Sequence, residues 1–277
     1  GVDLFMSDST NATRHEFTKS EAEVGVTLRR VIGAAKQRVI VASFSSHIHR
    51  VQQVCDAAQL AGRKVAVTGR SMLTNTRIAR ELGYLNVPDD LIIDAYDAAD
   101  YAPEKIVVLC TGSQGEPLSA LARMSVGEHK SISIERGDTV IISATPVPGN
   151  EKSVTRVVNQ LAKIGADVWD KNRALVHVSG HAGAEELKIV LSLVKPKYFM
   201  PVHGEATHLR AHARLAEAVG VDPDHIFILD NGDSLRMQNG VVKRDAPVES
   251  GIVYVDGSSV GDIDQDVLRD RQAMSSE

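Results

Sequence analysis

Three histidines stand where short apolar runs give way to small residues: His177 and His181 in HVSGHA, and His203 in PVHGE. A histidine at a strand end faces the crevice where ligands gather and can titrate or bind metal near neutral pH. Taken singly, each is more ordinarily a capping or hydrogen-bonded loop histidine. Two such motifs within one short helix of each other shift that balance, because adjacent parallel strands would set His181 and His203 side by side. Neither motif has the HxHxDH or HExxH spacing that builds a metal site alone, so a metal here needs ligands from elsewhere. Asp8, in LFMSDSTN, follows an apolar strand. Its carboxylate could bond an imidazole, hold the tautomer and raise the pKa for general-acid work; an Asx-type turn explains SDSTN equally well.

A second set of residues suits phosphate. The loop TGSQGEP, with Gly112, Ser113, Gln114 and Gly115, offers backbone amides, a hydroxyl and an amide at an expected helix start. It lacks the P-loop lysine, and no GxGxxG follows a strand, so nucleotide-triphosphate engines and dinucleotide oxidoreductases lose support; a glycine-rich tight turn is the plain alternative. SFSSHIHR contributes Ser45, His47, His49 and Arg50, and GRSM contributes Arg70. Arginine beside small hydroxyls is suited to phosphodiester oxygens. Phe44 could stack on a base or belong to the core, and Arg29, Arg30, Lys36 and Arg38 read as a solvated face.

The elements that must position these groups are legible as alternation. RVIVASF, KVAVTG, KIVVLCTG, DTVIISATP, ALVHVSG, KYFMPVHG and HIFILDNG read as strands covered on both faces. Between them, SEAEVGVTLRRVIGAAKQ, HIHRVQQVCDAAQLAG, NTRIARELGY, EKSVTRVVNQLAKIG, AGAEELKIVLSLVK and THLRAHARLAEAVG read as helices. The class is α/β with a largely parallel sheet, in which ligands bind beyond the carboxyl ends of the strands. At 277 residues and a formal charge of −5, the chain is long enough for one or two domains, and any nucleic-acid contact must come from a local patch. Cys55 and Cys110 lie in apolar runs and read as buried thiols of a reducing compartment. No apolar run approaches the roughly 20 residues of a membrane span, and no signal peptide is evident. From about Asp245 the chain turns acidic and Gly/Ser-containing, as a short strand and a linker would.

Taken in order, SDSTN, ASFSSHIHRVQQ, GRSM, CTGSQGEP, SATPVPGNE, HVSGHA and MPVHGE resemble ribonuclease J, of the β-CASP branch of the metallo-β-lactamase superfamily. The resemblance implies a β-CASP domain with a helix-flanked sheet inserted in a metallo-β-lactamase (αββα) domain. Residues 1–17 would end the first catalytic segment, 18–173 form the β-CASP domain, 174–247 close the catalytic domain, and 248–277 lead toward a further domain. It implies that Asp8, His181 and His203 match motifs A, B and C: His203 a ligand of one of two zinc ions, His181 the acid or charge stabiliser at the phosphodiester, Asp8 its orienter. HVSGHA and GSQGE, with His177, Ser179, Gly180 and Ala182, would hold the 5′-monophosphate of RNA. The family's HxHxDH is missing here, so most zinc ligands would precede Gly1, and these residues alone are expected to be an inactive piece of a cytoplasmic, homo-oligomeric RNA-processing hydrolase. Two other readings remain: a metal-free RNA-binding or assembly module, and another α/β phosphoesterase.

Overall fold

A computed structural model describes residues 1–253 and the backbone of 255–256 and 259–260. The chain forms two compact units, Thr18–Gly180 and Gly1–Phe17 with His181–Glu277.

In the first unit, strands β2 (Val39–Ala42), β3 (Lys64–Thr68), β4 (Ile92–Asp94), β5 (Ile106–Cys110), β6 (Thr139–Ile142) and β7 (Asp167–Trp169) form one sheet in the order β4-β3-β5-β2-β6-β7. Every pairing is parallel. The period of two decides which residues meet which helices. Val39, Val41, Val65, Val67, Val107 and Leu109 pack with α1 (Glu21–Ala34), α2 (Ile48–Leu60) and α3 (Arg70–Glu81) on one face. Ile40, Ala42, Ala66, Ile106, Val108 and Cys110 pack with α4 (Ala120–Ser125) and α5 (Glu151–Ile164) on the other. Cys55 and Cys110 therefore lie on opposite faces as free, buried thiols, and burial pushes the Cys55 thiol up to about 12. Ser20 starts α1 by accepting from the Ala22 amide while Glu23 accepts from the Ser20 amide. The chain leaves β2 toward β3 and β4, and leaves β6 toward β7, so the switch in direction falls where Ser43 and Ser143 follow adjacent strands.

In the second unit, β1 (Leu4–Asp8) pairs in parallel with β8 (Tyr198–Val202), flanked by α6 (Ala184–Val194) and α7 (Ala206–Ala218). Phe5, Leu191, Phe199, Ala216 and Val221 form its small core. A hairpin, β9 (Ser234–Gln238) and β10 (Val241–Asp245), turns at Asn239-Gly240, both with positive φ. No helix among the described residues is long and apolar enough to cross a membrane.

Four expectations change. ALVHVSG is not a strand: its Val176 carbonyl accepts from the Arg50 guanidinium and the Ser143 hydroxyl instead of a neighbouring strand. Because Val176 is fully buried in the core of the first unit, that unit extends to Gly180 rather than Arg173. HIFILDNG reduces to one parallel bridge between Ile226 and Phe199. Helix α3 starts at Arg70, ahead of the expected NTRIARELGY, so GRSM carries the helix start. Most of the expected linker, 248–277, lies outside the described residues.

Candidate active site

The parallel register of β1 and β8 sets Asp8 opposite Val202, one residue before His203. Both strands end there, so the two polar side chains emerge together. His203 itself has φ +55, a left-handed conformation that is rare outside glycine. The turn is close: a Cβ on Gly204 would stand 2.9 Å from the His208 Cβ.

One carboxylate holds two imidazoles. Asp8 Oδ2 accepts from His181 Nδ1 at 2.8 Å, and Asp8 Oδ1 accepts from His203 Nδ1 at 2.7 Å. The rings stack at 5.5 Å between centroids. His181 and His203 are thus side by side as expected, although no strand carries His181 there. Its backbone is held instead by Asn11, whose Nδ2 donates to the His181 carbonyl at 3.0 Å. Partial burial disfavours the Asp8 charge, but bonds from Thr10, His181 and His203 prevail and lower its pKa to about 2. With Nδ1 of His203 donating to Asp8, its Nε2 is the ring nitrogen left to face a metal. Asp8, His181 and His203 each present one ligand atom, all within 4.8 Å of one another.

Three further residues of SDSTN, to which the motif itself assigns no role, brace this centre. Thr10 Oγ1 donates to Asp8 Oδ1 at 2.8 Å and lies 3.1 Å from the His203 carbonyl. Asn11 is nearly buried, and Ser9 is fully buried against His212 of α7, with its hydroxyl 3.0 Å from His212 Nδ1. The signal for Ser9 and Asn11 is present in the sequence as a polar run directly after an apolar strand. His212 carries none, since a polar residue within a helix ordinarily faces water. Gly183, which opens α6 beyond His181, packs against the Glu16 carbonyl so closely that only glycine fits.

The phosphate candidates fare differently. Arg50 is fully buried and its guanidinium is already committed: Nε and Nη2 donate to the two Glu21 oxygens at 2.6 and 2.7 Å, and Nη1 donates to Val176 and Ser143. It is removed from the phosphate set because no donor remains exposed. The 112–115 loop is likewise buried. Gln114 donates to the Thr145 carbonyl and accepts from the Val147 amide, and Gly115 abuts the Ser153 backbone. Helix α4 begins only at Ala120, so Gly112, Ser113, Gln114 and Gly115 form a packed turn rather than a phosphate nest at a helix start.

His47 caps α2, accepting from the Arg50 amide, and Ser45 accepts from Asn75. Arg70 is exposed. His177 is half-buried; desolvation first, and the Arg50 charge second, lower its pKa to about 4, and its Nδ1 finds no partner among the described residues. Ser179 and Ala182 are half-buried and Gly180 is exposed.

Residues 36–161 match the family described as Ribonuclease J, beta-CASP domain, and residues 168–228 match the Zn-dependent metallo-hydrolase RNA specificity domain. Ribonuclease J of Corynebacterium glutamicum is 48% identical over 274 residues, which cover 99% of this chain and 38% of that protein. For Ribonuclease J of Thermus thermophilus the identity is 46% over 277 residues, covering 100% and 48%. Ribonuclease J2 of Bacillus subtilis is 42% identical over 275 residues, covering 99% and 49%. The chain spans about half the length of these relatives, or less. Aligned almost end to end with them, and matched by both domain families in sequence order, the chain belongs to the ribonuclease J family.

Proposed function

We propose that this chain supplies part of the active site of a zinc-dependent ribonuclease that hydrolyses RNA phosphodiesters, as a 5′-to-3′ exonuclease and an endonuclease, in cytoplasmic RNA decay and maturation. The observation that carries the reading is the Asp8 carboxylate accepting from both His181 and His203, within a family described as zinc-dependent.

The donor set suits zinc, which takes imidazole nitrogen and carboxylate oxygen. His203 is assigned as a ligand of one of two ions through Nε2. Zinc held there would supply a water nucleophilic near neutral pH and would neutralise charge on the phosphate oxygens. His181, its Nδ1 tied to Asp8, carries a second proton on Nε2 and donates it to the departing 3′-oxygen. Asp8 fixes both tautomers and balances the imidazolium charge. A preference for RNA bearing a 5′-monophosphate belongs to the same reading. The full-length protein is assigned as a homo-oligomer. The 277 residues alone, with one cluster of three candidate ligands among those described, are expected to be inactive.

The test uses full-length protein and single-stranded RNA bearing a 5′-monophosphate or a 5′-triphosphate. His203→Ala should lose zinc and hydrolysis, and His181→Ala should keep zinc and lose hydrolysis. Wild-type hydrolysis by both variants would instead indicate a phosphoesterase that does not use this centre.

A further inference from the structure

We infer that Ser9 and His212 form a buried positioning pair that sets the place of Asp8 between the two imidazoles. Both residues are 0% exposed. The hydroxyl of Ser9 meets His212 Nδ1 at 3.0 Å, while His212 Nε2 is buried with no partner among the described residues. An imidazole taken out of water loses its hydration on both nitrogens, so a leucine would suit this fully buried helical position better. Against that cost stands the hydrogen bond shared with Ser9, which accounts for a histidine at this position.

The reach of the pair follows from its neighbours in the chain. Ser9 lies between Asp8 and Thr10, and planar peptides leave only its φ and ψ to set how both side chains leave the backbone. Asp8 bonds both imidazoles, Thr10 reaches the His203 carbonyl and Asn11 the His181 carbonyl. Rotating Ser9 would displace all of these bonds together. His212 is itself fixed: the Phe199 ring, on β8, meets it edge-on at 4.8 Å. It also lies on the helix that begins three residues after His203, so α7 links the motif around His203 to the one around Asp8. Neither Ser9 nor His212 is expected to touch substrate; they act through Asp8, and in that respect the inference rests on the function proposed above.

The experiment uses the 277-residue chain and reads two quantities: the NMR resonances of the Nδ1–H protons that His181 and His203 donate to Asp8, and the affinity for zinc titrated alone. Ser9→Ala and His212→Leu should each move or broaden both resonances and weaken zinc binding by about tenfold, as loss of a supporting group behind a metal ligand does. The double variant should be no worse than either single one. His212→Asn, which keeps a polar atom near the Nδ1 position, should reverse most of the effect, and Ser9→Ala carries the test alone should His212→Leu fail to fold. Val221→Ala, in the same small core, should lower stability and leave both readouts unchanged. Unmoved resonances in Ser9→Ala would overturn the inference, as would equal changes in Val221→Ala, since the effect would then be general loosening. Shifted resonances in a chain that binds no zinc would still uphold the pair, since most zinc ligands are expected outside these residues.

Discussion

Arg50 and Glu21 form a two-pronged ion pair at the carboxyl end of the parallel sheet, with the arginine side chain entirely out of water and the glutamate one-quarter exposed. The same guanidinium donates to carbonyls of Ser143 and Val176, tying the end of β6 to the segment that closes the first unit. Burial disfavours the Glu21 charge, and the Arg50 bonds outweigh that and hold its carboxyl below the usual range. Arg50→Ala removes one partner of a buried pair and strips Glu21 and the Ser143 carbonyl of their guanidinium donors, so it should cost about 3 kcal/mol or more. Arg70→Ala, exposed on the first turn of α3, should stay within about 0.5 kcal/mol. Chemical denaturation measures both. Weaker RNA binding by Arg50→Ala without loss of stability would return Arg50 to the phosphate set.

Acid should destabilise the fold before carboxylates titrate. Burial lowers the pKa of His177 and of His212 from 6.5 to about 4. Between those values the unfolded chain binds protons that the folded chain refuses. Stability is therefore complete above about pH 6.5, falls as pH drops toward about 4, and then levels off, with at most about 1.4 kcal/mol lost per pH unit for each histidine. His212→Asn should reduce that slope in urea unfolding at pH 7, 6 and 5. Identical slopes for the variant and the parent would show that His212 does not titrate in this way.

Asp8→Asn keeps the shape of the side chain and removes its charge. The amide has an oxygen in place of only one of the two carboxylate oxygens and turns its NH2 toward the other Nδ1–H donor, so at least one imidazole should lose its fixed tautomer. In the full-length protein, RNA hydrolysis should fall on the order of 100-fold or more, the range of general acid–base assistance. Single-turnover cleavage rates measure it; a loss confined to substrate affinity would place Asp8 outside the chemistry.

Gly115 and Gly127 both have positive φ, yet they should respond differently. A Cβ on Gly115 would lie 2.5 Å from the Ser153 carbonyl carbon, whereas one on Gly127 meets open space. Gly127→Ala should cost about 1 kcal/mol, the backbone penalty alone. Gly115→Ala should cost clearly more, about 3 kcal/mol, because backbone must move. Equal midpoints in thermal unfolding would mean that the loop can shift away from α5 at no cost.

The alternation of β-branched runs and capped helices, together with the motifs around Asp8, His181 and His203, is sufficient to identify an α/β chain and its candidate centre. Those features are local: a strand needs its own period of two, a helix its own cap, and Asp8 is the last residue of β1. Which polar residues meet is left to tertiary packing. Arg50 and Glu21 are 29 positions apart and Ser9 and His212 are 203 apart, so no spacing rule relates them. Arg50 beside small hydroxyls looks like a phosphate ligand because sequence does not reveal burial. His212 looks like a solvated helical residue for the same reason. Sheet register and helix packing bring such pairs together, and desolvation then makes each of them either a partner or a cost.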